Sequence, residues 1–130
     1  MKYRILIVSA NYYTDISNNL LNDAKTTLKS KAKYQIINVP GVFEIPVIIA
    51  KNIKKYHGFI ALGCVIKGET PHFDFISSAT TNAIMNLSIK YKKPIGNGII
   101  TCLNKKQAKV RSKTKGHEAA KAVISILENF

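Results

Sequence analysis

His72 is the side chain whose type and setting most readily do chemistry. It stands in Gly68-Glu69-Thr70-Pro71-His72-Phe73-Asp74, directly after the continuous apolar run 59–66. That run has the length and content of a strand buried on both faces, and it breaks at Gly68 into a tight polar turn. Thr70 then Pro71 reads as a helix N-cap followed by the first helical residue, since Pro has no N–H to lose there. His72 is therefore expected in the helix's first turn, beside unpaired backbone N–H groups and the positive end of the helix dipole. An imidazole there can give or take protons near neutral pH on the rim of an anion pocket.

Other residues suit the same chemistry. Arg111 and the turn from Gly68 to Thr70 together would hold a phosphate, one by a charged fork and the other by backbone N–H groups. Tyr12 and Phe43 offer flat apolar surfaces for a ring, and Glu44 can accept hydrogen bonds from hydroxyls. Plainer roles exist for each. A first-turn His is often only solvated, Tyr12 and Phe43 can be core, and Glu44 and Asp74 can simply complement helix dipoles.

The elements that must position these residues follow from periodicity. Apolar runs mark strands at 3–10, 34–39, 59–66 and 95–103. Helical spacing appears at Ile16, Leu20, Ala24 and Leu28 within 15–29. A second helix carries Pro46 in its first turn, the only place it is tolerated, and runs to about Tyr56. Ile76, Ala79, Ala83 and Leu87 should line the inner face of the third helix, which ends at Tyr91-Lys-Lys-Pro94. After the fourth strand comes a short basic segment through Arg111, then a helix over 115–129 with Ala119, Ala122, Val123 and Ile126 inward. Strand and helix alternate, so the expected fold is α/β: a single three-layer domain over 1–130 with a four-stranded parallel sheet and helices on both faces, flavodoxin-like. Ligands bind such sheets beyond the carboxyl ends of the strands. Tyr12, Phe43, Glu44, Thr70, His72 and Arg111 all follow strand ends, which gathers them into one expected pocket.

Composition narrows the function classes. The net charge is +13, from 20 basic and 7 acidic residues, but Arg4 and Arg111 are the only arginines and the lysines are scattered. Base and phosphate recognition in nucleic acids favours guanidinium forks in a stripe, so a solvated lysine surface that draws an anionic substrate fits better. Cys64 and Cys102 have no partner at metal-ligand spacing and read as free buried thiols. No apolar run reaches membrane-spanning length, and the first residues lead into a strand rather than a signal peptide, so a cytosolic protein is expected. There is no nucleophile elbow, Walker loop, dinucleotide fingerprint or metal cluster. Ala10-Asn11 stands where a signalling receiver would carry paired acids. What is left is catalysis by positioning and proton shuttling, with a nucleophile that belongs to a substrate.

Three blocks carry a family resemblance: Pro40-Gly-Val-Phe-Glu-Ile-Pro46, the stretch from Ala61 to Asp74, and the stretch from Gly96 to Ala108. In this order and spacing they resemble the 6,7-dimethyl-8-ribityllumazine synthase family of riboflavin biosynthesis. The resemblance implies a transferase that condenses an aminouracil with a butanone phosphate, without cofactor or metal. It implies that Tyr12 stacks on the pyrimidine, that Val42, Phe43 and Glu44 bind the ring and ribityl chain, and that Cys64, Val65 and Ile66 line the ring slot largely through backbone. Glu69 and Thr70 would hold phosphate by backbone N–H with Arg111 as its cation, and His72 would transfer protons. Lys115 and Glu118 match positions nearby. Asn97 begins the fourth strand, far from its own pocket, and in the family the matching residue, like that matching Arg111, comes from a second subunit. The implied assembly is a homopentamer, free or built into an icosahedral shell, with no nucleic-acid or membrane partner. Asn97 replaces a common aromatic, Lys67 a frequent Arg, and the segment from Arg111 to Lys115 is short. The same pocket would also serve a protein that holds a flavin or lumazine without turnover.

Overall fold

Side-chain parity along the central strands builds two cores on one sheet. The computed structural model describes residues 2–68 and 72–130. Strand β1 (Tyr3–Ala10) sends Ile5 and Ile7 to one face and Leu6, Val8 and Ala10 to the other. Strand β3 (Gly58–Ile66), buried throughout, does the same with Ile60, Leu62, Cys64 and Ile66 against Phe59, Ala61 and Val65. Successive strand residues point to opposite faces, so a continuous apolar run needs cover on both. With β2 (Ala32–Val39) and β4 (Ile95–Cys102) the sheet has the order β2-β1-β3-β4, every pair parallel.

Helices supply the cover. One core takes Ile16, Leu20, Ala24 and Leu28 from α1 (Thr14–Leu28) and Ala119, Ala120, Val123 and Ile124 from α5 (Lys115–Asn129). The other takes Ile45 and Ile49 from α2 (Ile45–Lys51) and Ile84 from α3 (Phe73–Tyr91), with Phe73, Ile76 and Leu87 packed around them. The expected parallel α/β sandwich is the observed one. No helix among the described residues is long and apolar enough to cross a membrane.

Several boundaries and faces differ from expectation. Helix α3 begins at Phe73, so His72 is its cap residue and not part of its first turn; the expected cap at Thr70 and first residue at Pro71 lie outside the described residues. Helix α2 stops at Lys51 rather than near Tyr56. Beyond it the Lys93 ammonium donates to the carbonyls of Ile53 (2.6 Å) and Tyr56 (2.9 Å), satisfying acceptors that would otherwise have continued a helix. Ala79 and Ala122 are exposed rather than inward, and Ile126 is nearly half-exposed. The basic segment is itself a helix, α4 (Lys105–Arg111), started by Asn104, whose Oδ1 accepts from the Gln107 backbone N–H at 2.9 Å. Gln107 Oε1 in turn accepts from Leu103 N–H, a near relative of the capping box.

Helix α5 has no capping side chain of its own. Asp23 on α1 supplies one across the fold, its carboxylate accepting from His117 N–H at 2.5 Å. Asp23→Ala is expected to lower the unfolding free energy by about 1 kcal/mol, the usual cost of a lost N-cap. Urea denaturation checks this, and an unshifted midpoint would rule the cap out as a contributor.

Candidate active site

The slot is built where strand ends meet two turns. After β1, Ser17 in the first turn of α1 donates to the Ala10 carbonyl at 2.6 Å, which fixes how the chain leaves the sheet through Tyr12. Tyr12 remains 65% exposed and leans edge-on against the buried ring of Tyr13, centroids 4.8 Å apart. After β2 the chain makes a single 3-10 turn, Val42–Glu44. Gly63 on β3 lets that turn sit down, because a Cβ there would lie 2.5 Å from Val42 Cγ1. Phe43 is consequently turned outward, 62% exposed, and is not core.

Tyr12, Val42, Phe43, Glu44, Cys64 and Val65 line one recess of about 200 Å³ together with Tyr13, Gly41 and Ile76. Phe43 and Ile76 also line an adjoining cavity of about 490 Å³, which they share with His72 and Phe75. Two aromatic faces and one carboxylate thus border a recess next to the imidazole's cavity, with Phe43 and Ile76 common to both, an arrangement suited to a flat heterocycle with a hydroxylated tail. Ile66 closes β3 as a buried core residue and lines neither cavity, leaving only its backbone to contribute. The turn that follows takes φ +85° at Gly68, a left-handed conformation that favours glycine. Glu69 and Thr70 lie outside the described residues.

Arg111 is brought into neither the recess nor the His72 cavity. It faces a separate cavity with Lys106, Gln107 and Val110, and its Nη1 donates to the Thr101 carbonyl at 2.8 Å. The single pocket expected from chain order is therefore divided, because β4 stands at the sheet edge beyond β3. Asn97 is exposed on that edge strand, paired in register with Ala61, its Oδ1 accepting from Ile99 N–H at 3.0 Å. It lines neither the ring recess nor the His72 cavity. Cys64 and Cys102 are both buried, and among the described residues no three His, Cys, Asp or Glu side chains gather as metal ligands.

Residues 2–130 match the family model described as 6,7-dimethyl-8-ribityllumazine synthase. The chain belongs to the 6,7-dimethyl-8-ribityllumazine synthase family. It is similar to the protein of that name from Bartonella henselae, 46% identical over 97% of this chain and 87% of the relative. With the synthase of Agrobacterium fabrum it shares 42% identity over 98% of this chain and 94% of the other. The relative from Rhodopseudomonas palustris named 6,7-dimethyl-8-ribityllumazine synthase 1 is 43% identical over 95% and 83%.

For this lumazine synthase family member the structure adds one residue that sequence reading passed over. Phe75 is 80% exposed beside His72. Its signal was positional: Phe73 and Ile76 pack inward from α3, which turns the intervening aromatic out.

Proposed function

We infer that the chain condenses 5-amino-6-(D-ribitylamino)uracil with 3,4-dihydroxy-2-butanone 4-phosphate to 6,7-dimethyl-8-ribityllumazine, the penultimate step of riboflavin biosynthesis, with all of residues 1–130 acting as one cytoplasmic domain. The uracil's amine attacks the ketone and water leaves as the imine forms. Phosphate is then eliminated, and ring closure by the second nitrogen expels another water. The nucleophile is the substrate's, so the protein's tasks are to hold two molecules in register and to move protons.

Phe43 carries this assignment, since it borders both the ring recess and the His72 cavity. Tyr12 and Phe43 hold the pyrimidine, Val42 and the backbone of Cys64, Val65 and Ile66 shape its slot, and Glu44 accepts from the ribityl hydroxyls. His72 relays protons between the reacting carbon and nitrogen atoms. The backbone N–H groups of Glu69 and Thr70 receive the phosphate.

Arg111 and Asn97 complete the site from a neighbouring copy, as a homopentamer, free or built into an icosahedral shell, would allow. That neither lines the recess or the His72 cavity within one chain supports this arrangement. So do outward apolar side chains on both halves, Phe75, Met85 and Ile89 on α3 and Leu103 and Val110 around Arg111. Lys115 and Glu118 sit at the start of α5, after the segment carrying Arg111, and the family resemblance assigns them to the surroundings of the phosphate and the histidine.

Mixing the two substrates with the purified protein tests the reaction directly. Lumazine absorbance and phosphate release should rise together, well above the uncatalysed condensation. A folded, assembled sample that binds lumazine yet adds nothing to the background rate would instead indicate a carrier.

A further inference from the structure

The useful orientation of Arg111 depends on how the last turn of α4 is held. Its Nη1 is committed to the Thr101 carbonyl at 2.8 Å and lies 3.6 Å from Cys102 Sγ, which anchors one edge of the guanidinium to the end of β4. Arg111 is otherwise exposed, so its other donors are open to a phosphate. The fork points correctly only if α4 keeps its distance from β4. At its N-terminal end the helix is fixed by the Asn104 and Gln107 cap.

At its C-terminal end the fixing residue is Ser112, next to Arg111 and completely buried. Ser112 Oγ donates to the Lys109 carbonyl at 2.8 Å and accepts from Asn19 Nδ2 at 3.2 Å. Asn19 belongs to α1, whose own first turn is tied to β1 through Ser17 and Ala10. A second α1 contact, Asp15 with Lys109 at 3.8 Å, joins two exposed side chains and adds little. Asn19 is therefore the polar link by which the sheet and α1 hold the Arg111 turn in place.

We propose that Asn19 is a positioning residue for the phosphate grip of Arg111, acting through the Ser112 hydroxyl. The proposal rests on the assignment of Arg111 to the phosphate of the butanone substrate. Asn19 touches no substrate. Removing its amide frees the end of α4, and small displacements of a charged fork are enough to weaken binding.

Steady-state kinetics of the full-length assembled protein test it with Asn19→Ala, Arg111→Ala and the double variant. Asn19→Ala should raise KM for the butanone phosphate about threefold to tenfold, the factor carried by one ordinary hydrogen bond. KM for the aminouracil should not move, and in the Arg111→Ala background the Asn19 substitution should add nothing, since its effect runs through that side chain. If Arg111→Ala raises KM for the phosphate substrate while Asn19→Ala does not, the positioning role alone is overturned. An equal rise in both KM values, or full additivity in the double variant, would mark Asn19 as merely structural and overturn it too. No effect from Arg111→Ala would remove the phosphate assignment and the proposal together.

Discussion

His72→Ala is expected to slow turnover by about 10²-fold, the lower end of what one positioned proton-transfer group contributes. Imine formation, phosphate elimination and ring closure each move a proton to or from a carbon or nitrogen of the substrates, and an imidazole does this without a large pH penalty. The lower end is appropriate because the nucleophile is already competent and the pair condenses slowly unaided. The loss should appear in kcat, since binding surface is provided mainly by Phe43, Tyr12 and the backbone of β3. Folding should be spared. His72 makes no side-chain capping bond at the start of α3, and its neighbours Phe43 and Phe75 are exposed. Stopped-flow absorbance of lumazine formation, with the background rate subtracted, reads the effect. Undiminished kcat would mean that proton transfer is handled elsewhere.

Arg111→Ala should act on the other substrate. A charge-assisted hydrogen bond is worth about 1.5–3 kcal/mol, so KM for the butanone phosphate should rise about tenfold to a hundredfold. KM for the aminouracil should hardly change. Arg111→Lys should recover only part of the loss, because an ammonium cannot donate to the Thr101 carbonyl and fork onto phosphate in the same plane. Titrating each substrate at saturating levels of the other separates the two constants. An equal effect on both would show that Arg111 supports the assembly rather than the phosphate.

Much of this fold was legible because period-two burial is hard to disguise. The run Gly58–Ile66 is apolar without interruption, and within Tyr3–Ala10 the stretch from Ile5 to Ala10 is buried at every position; only a sheet covered on both faces accommodates that. Helix faces were less legible. In α3, Phe75, Met85 and Ile89 point out while Ile76, Ile84 and Leu87 point in, so hydrophobicity did not identify the inner side and Ala79 was misassigned. Small Ala122 misled in the same way on α5. Helix α4 was hidden by its lysines, although Asn104 three residues before Gln107 was a capping signal in plain view.

For the site, strand ends grouped Tyr12, Phe43 and Glu44, which share one recess, with His72, which lines the adjoining cavity; Val42, Cys64 and Val65, in the same recess, were named only through the family resemblance. They wrongly pooled Arg111 with these residues. Chain order gives the end of the sheet on which a residue lies, but the lateral order β2-β1-β3-β4, which sets β4 beyond β3, depends on crossovers that no local pattern records.

Subunit mixing tests most directly whether catalysis belongs to a site shared between copies. His72→Ala and Arg111→Ala chains, each nearly inactive alone at limiting butanone phosphate, would be co-expressed with different tags and the mixed assemblies isolated through both. Random equal mixing in a closed ring should restore about a quarter of the sites, those pairing an intact His72 with a neighbour's intact Arg111. Activity should recover to roughly that fraction of the unsubstituted protein. Verified mixed assemblies no more active than their parents would contradict the shared site and return Arg111 to the pocket of its own chain.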